Sequence, residues 1–303
     1  MKRYRHFKAG VPIHVYFKAN HSFILFYTQE DQILLFTIYS CLAKKYGIKV
    51  LAFCIMPNHL HAIEIASSED KFYLFHAQLG SIFTKEYNLR HNRKGKLLST
   101  PFGFAPKTVT KRIRDAVCYV ANNPVVGGLT DSVGKFRWNL LPYYNNSRPF
   151  SEKLSLNKAS HKLRCAVKLL NYWYESNSHL TYARQNTIFE NLTDIERKQL
   201  LDKIICRYNF LDYTALCSLY KDNFPKVISL LDLGRGNEFD LEDDYDNYAS
   251  YHKMIKLLSA QGLDFQQCNF EKYGPEEIAK LSSLLRKRGY QERQICKFLH
   301  ITF

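Results

Sequence analysis

The chain has 303 residues, 46% of them hydrophobic and 15% aromatic, with 43 Lys+Arg against 28 Asp+Glu. That composition supports a buried core and excludes disordered, collagen-like and fibrous classes, and no apolar run is long enough to cross a bilayer. The formal charge of +15 is uneven: residues 1–150 hold 21 basic and 8 acidic side chains, whereas residues 151–303 hold 22 and 20. A basic field confined to one half points to a polyanion, and nucleic acid is the natural one because neutralising phosphates releases counterions. The basic opening, Met1 to Lys8, lacks the apolar block of an export signal, so a cytoplasmic location is expected. Eight cysteines are scattered singly and are expected to be reduced, mostly buried thiols.

In chain order, residues 12 to 20 are rich in β-branched and aromatic side chains and predict a first strand. Thr28 with Glu30 and Asp31 marks a helix start, and an apolar stripe from Ile33 to Tyr46 runs to a stop at Gly47. Lys49 to Met56 reads as a strand covered on both faces, and Pro57-Asn58 turns it into a third strand from His59 to Ile65. A helix is predicted from Phe72 to about Arg90, followed by the basic loop Asn92 to Lys96. A fourth strand is expected over Phe102 to Thr108, and then a helix from 109 to about 122 that Asn123-Pro124 would end.

This order describes an α+β domain over residues 1–145: a ferredoxin-like antiparallel sheet with helices on one face, plus one extra helix. Residues 146–160 read as a linker and 161–303 as an all-α region, with helices from Lys162 to Ser176 and after the capping-box pair Thr193 and Glu196. Acids crowd Asn237 to Tyr248 and predict a solvated loop or an exposed helix start. Residues 275–303 read as helix, turn, helix, with Ile295, Phe298 and Leu299 on one face. This is a partial helix-turn-helix or a plain packing hairpin.

His59 and His61 stand two apart on a strand, so both project from one face and could share a divalent ion. On its own the pair reads more readily as hydrogen-bonded strand histidines. Tyr119 and Asn123 stand four apart on a helix, one above the other; the Asn123 amide could complete a His-His-Asn set with the Tyr119 phenol one turn away. Tyr119 as a core aromatic and Asn123 as a C-cap before Pro124 is the alternative from spacing alone. Glu64 faces away from the histidines by alternation and is expected to be an ordinary strand residue. His14 could approach the site and reads as structural.

Several motifs in order resemble one family. His14 to Asn20, then Ile24-Leu25-Phe26 and Glu30-Asp31, look like its opening strand and loop. Ile55-Met56-Pro57-Asn58-His59-Leu60-His61 looks like its metal motif. Phe83-Thr84, Tyr87-Asn88, Asn92 and Gly95 are similar to its basic helix and loop, and Tyr119-Val120-Ala121-Asn122-Asn123-Pro124-Val125 to the segment carrying its nucleophile, with Trp138 further on. Over residues 10–145 the chain thus resembles the single-tyrosine HUH transposases, closest to the REP-associated tyrosine transposases and related insertion-sequence enzymes.

The resemblance implies a transposase that cleaves and rejoins single-stranded DNA, at a folded hairpin, through a 5′-phosphotyrosine on Tyr119. It implies Mg²⁺ or Mn²⁺ on His59, His61 and Asn123. A free phenol has a pKa of about 10, so attack at neutral pH needs such help. Lys85, Tyr87, Arg90, Arg93, Lys94, Lys96, Lys107, Lys111, Arg112 and Arg114 flank the segment as expected DNA contacts, and Tyr73 and Phe104 as further stacking platforms. The expected assembly is a monomer or homodimer without a membrane partner. The rival readings are a nucleic-acid-binding regulator without turnover and a metal-dependent nuclease that uses water.

Overall fold

A computed structural model of the chain describes residues 6–302 apart from 154, 156, 158, 235 and 237–245. Most of the acidic run predicted as a loop, including Glu238, therefore lies outside the described residues. The four strands are β1 (Ile13–Lys18), β2 (Lys49–Met56), β3 (His59–Ile65) and β4 (Gly103–Pro106), in the antiparallel order β2-β3-β1-β4. With α1 (Gln29–Tyr46) and α2 (Glu69–Arg90) as crossovers this is the ferredoxin-like arrangement expected.

Local chemistry sets the ends of these elements. Thr28 and Asp31 close a reciprocal capping box on α1, and Gly47 ends it at φ +67°, a left-handed conformation that costs glycine nothing. Ser68 caps α2 three residues earlier than predicted, because its hydroxyl accepts from Lys71 N–H and starts the helix at Glu69.

β1 and β3 pair with Tyr16 opposite His61 and Lys18 opposite His59. By the two-residue alternation of strands, His14, Tyr16, His59 and His61 share one sheet face, and Phe17, Leu60 and Glu64 share the other. The second face is covered by α1 and α2. There Glu64, fully buried, accepts from Tyr39 Oη at 2.5 Å and lies 3.0 Å from His76 Nε2. Glu64 thus turns away from the histidines as expected, but it is the polar centre of the α1–α2 layer. Burial, and then the nearby Glu64 charge, push the Tyr39 phenol well above its ordinary pKa.

The extra helix α3 (Thr110–Val126) packs against β2 and β3 on the histidine face. It does not stop at Asn123-Pro124 as predicted. Pro124 sits inside the last turn, where only its own missing N–H is lost, and Gly127 N–H still reaches Asn123 O at 2.9 Å.

The second half is helical throughout the described residues: α4 (His161–Glu175), α5 (Tyr182–Phe189), α6 (Asp194–Tyr208), α7 (Tyr213–Tyr220), α8 (Phe224–Leu233), α9 (Ala249–Ser259), α10 (Pro275–Lys287) and α11 (Glu292–Leu299). One apolar core runs from the sheet into this half. Phe210, between α6 and α7, stacks on Tyr39 and meets Phe53 edge-on, and Asp212 N–H bonds to Val50 O at 2.8 Å. Burying each such ring is worth roughly 1.5–3 kcal/mol. Asp202 of α6 accepts from Arg137, Tyr143 and the Phe150 N–H, which fastens the chain after α3 to the helices.

The 275–302 hairpin is a packing element. Phe298 is fully buried against Tyr27, Tyr251, Phe265 and Phe270, and Lys297 O accepts from Ile24 N–H. A helix enclosed in this way cannot enter a DNA groove.

Candidate active site

Five rings from two strands and one helix meet on the α3 face of the sheet. The His59 and His61 rings lie 4.8 Å apart, centroid to centroid, edge to face. Tyr16 stacks flat on His61 at 4.6 Å and stands edge-on to His59 at 5.4 Å. From α3, the Tyr119 ring reaches within 5.5 Å of His61 and 5.7 Å of His14.

Hydrogen bonds to neighbours orient both imidazoles. His61 Nδ1 lies 3.0 Å from His14 Nε2, and His59 Nδ1 lies 2.7 Å from Asn58 Oδ1, with Tyr248 Oη 3.5 Å away. Asn58 is itself fixed by donating to Ser22 O at 3.0 Å. Because Asn58 Oδ1 can only accept, His59 must carry its proton on Nδ1, which leaves the lone pair on Nε2. The His14 bond engages Nδ1 of His61 and orients its ring. His14 is therefore more than the structural histidine expected: it positions a site residue.

Asn123 lies one turn beyond Tyr119, 7% exposed, and makes no hydrogen bond to either imidazole. Its buried Nδ2 has no partner among the described residues. Its backbone carbonyl is used by Gly127 N–H, so it is a residue of the helix interior. Among the described residues, no three His, Cys, Asp or Glu side chains are grouped to hold a metal.

The site is closed. Tyr119 is 4% exposed, His59 3%, and His14 and His61 0%. Three contributors escape sequence reading. Tyr16 sits in an unremarkable strand and Asn58 looks like a turn residue, although its place beside His59 is a usable signal. Tyr248 comes from the far end of the chain, and only the fold brings it to His59.

Comparison with family models finds no match. Comparison with curated proteins finds none either. Among solved structures, the chain is similar to the "Structure of the REP associates tyrosine transposase bound to a REP hairpin", with a TM-score of 0.41 and 19% identity over 47% of this chain and 84% of that one.

The ten residues expected to contact DNA divide sharply. Lys85, Lys94, Lys96, Lys111 and Arg112 are exposed and have no acidic partner among the described residues. Tyr87 is 1% exposed, packed between Phe83 and His91, and cannot serve as a stacking platform. Lys107 is 4% exposed. Arg93 pairs with Glu271, Arg90 donates to Gln266 and lies over Tyr182, and Arg114 donates to Leu219 O. These arginines tie the first half of the chain to the second, which the sequence of either half alone does not show. Tyr73, 40% exposed, remains a surface aromatic. No helix among the described residues is long and apolar enough to cross a membrane.

Proposed function

We propose that the protein is a DNA transposase that cuts and rejoins single strands by attack of the Tyr119 oxygen on a phosphodiester. The observation that carries this reading is the meeting of the Tyr119 ring with a two-imidazole pair on one face of the sheet. The ordered motifs of residues 10–145, similar to those of the single-tyrosine HUH transposases, support it further.

The residues fit a divalent ion. Both imidazoles have Nδ1 engaged by a neighbour, and the buried side-chain amide of Asn123, whose Oδ1 can give a lone pair, lies on the adjoining helix. His59, His61 and the side-chain Oδ1 of Asn123 would hold Mg²⁺ or Mn²⁺, which would polarise the scissile phosphate and lower the cost of forming phenolate.

The protein's own residues supply the rest. Asn58 fixes the His59 tautomer, His14 orients the His61 ring, Tyr16 holds the His61 plane, and α3 carries the nucleophile across the sheet. In the step itself the Tyr119 oxygen forms a bond to phosphorus and the O3′–P bond breaks, and the proton lost by the phenol is balanced by the one that the departing O3′ takes up, through solvent, to become a 3′-hydroxyl. The ester is exchanged and not hydrolysed, so a second 3′-hydroxyl can reverse the step and rejoin strands. Lys85, Lys94, Lys96, Lys111 and Arg112 supply exposed charge for the phosphates on either side, at a hairpin-forming element end.

With Tyr119 at 4% exposure, strand binding must open the pocket before attack. That closure favours a second reading, a nucleic-acid-binding regulator without turnover. Labelled hairpin and linear single strands incubated with Mn²⁺ separate the two. The proposal expects cleavage that Tyr119→Phe abolishes. Binding without cleavage on a verified cognate strand supports the regulator, and cleavage that survives Tyr119→Phe means that water is the nucleophile.

A further inference from the structure

A second basic surface lies in the helical half, next to the site but outside it. An open groove of about 820 Å³ has the end of α3 as one wall, at Val126 and Gly128, and α9 with the α10–α11 turn as the other, at Lys253, Arg288, Tyr290 and Arg293. Lys253, Arg288 and Arg293 are exposed, and Tyr290 is half-buried with part of its ring at the surface. The acid in the groove, Asp246, is already neutralised: Lys297 Nζ lies 3.0 Å from it, and Tyr251 Oη donates to it. Among the described residues, Lys253 and Arg288 have no acidic partner.

The groove begins at the catalytic face. Tyr248 N–H bonds to Gly127 O at 2.9 Å, and the Tyr248 ring lies 5.8 Å from His59. A strand held at the site and leaving past the end of α3 would therefore run into this groove. A positive groove with an aromatic edge suits a single strand, whose bases stack and whose phosphates need neutralising, better than a duplex, which offers only its backbone and groove edges. Resting on the reading above, we infer that this groove binds the single-stranded DNA that flanks the cleavage site. The helical half is then the protein's second nucleic-acid surface, through Lys253, Arg288 and Tyr290.

The test compares the full chain with K253A/R288A, binding a fluorescent single strand of mixed sequence across a range of salt concentrations. A control, K162A/K168A, removes two exposed lysines from α4. Each phosphate contact on a single strand contributes about 0.7 to the slope of log K against log salt, so the groove variant should lose about 1.4 from the slope and bind several-fold more weakly, with the control unchanged. An unchanged slope in the groove variant overturns the inference. So does an equal loss in the control, or a loss confined to duplex DNA. Charge-retaining K253R/R288K should restore the slope, which separates lost contacts from lost folding. If strands are cleaved while the groove variant behaves as wild type, only this inference fails. If no strand is cleaved yet the groove slope falls as expected, the groove stands and the chemistry of Tyr119 does not.

Discussion

The His14–His61 and Asn58–His59 bonds hold the two imidazoles in place, and the Asn58 bond sets the His59 proton on Nδ1. Removing such an orienting partner usually lowers metal affinity about 10–100-fold without removing a ligand. His14→Ala should therefore weaken Mn²⁺ binding by that factor in a calorimetric titration, whereas His61→Ala should abolish it. An affinity within twofold of wild type in His14→Ala would show that His14 only fills space. That His59 and His61 share a face is legible in the sequence, because residues two apart on a strand must do so. The role of His14 is not, because it depends on the β1–β3 register, and a slip of one residue would turn His14 to the other side.

At the scale of elements, what the sequence shows well is what neighbouring residues decide. The Thr28–Asp31 and Thr193–Glu196 boxes and the Gly47 stop are contacts within a few residues, and the α1 and α6 starts follow from them. The end of α3 is different. Pro124 suggests a stop, yet packing on the sheet carries the helix to Val126, and Gly127 ends it for a tertiary reason. A Cβ there would lie 2.7 Å from the Tyr248 ring and 2.9 Å from Met56 Cε. Gly127→Ala should then cost about 1–3 kcal/mol by overpacking, measured as a lower denaturant midpoint at constant slope. A neutral result would mean that Tyr248 and Met56 yield freely. The burial of α11 was equally beyond local reading, since its partner Tyr27 lies at the other end of the chain.

Over the whole molecule, the two halves share one core, and buried histidines in the helical part link its stability to pH. Burial holds His179 and His300 at a pKa of about 4, below the ordinary 6.5. Between these values the unfolded chain binds more protons than the folded one, so stability is complete above pH 6.5 and is lost as pH falls towards 4. Urea midpoints should accordingly drop from pH 7 to pH 5, and H179Q/H300Q should flatten that drop; equal slopes would contradict the assignment. The charge asymmetry of the sequence pointed to a nucleic-acid surface in the first half. It gave no sign of the groove in the second half, where 20 acidic side chains offset 22 basic ones in the total. The account as a whole rests on which atom attacks DNA. After incubation with a cognate strand and Mn²⁺, followed by nuclease and protease digestion, mass spectrometry should find a nucleotide esterified to the peptide containing Tyr119. A cleaved strand with that peptide unmodified, or with the nucleotide on another side chain, would contradict it.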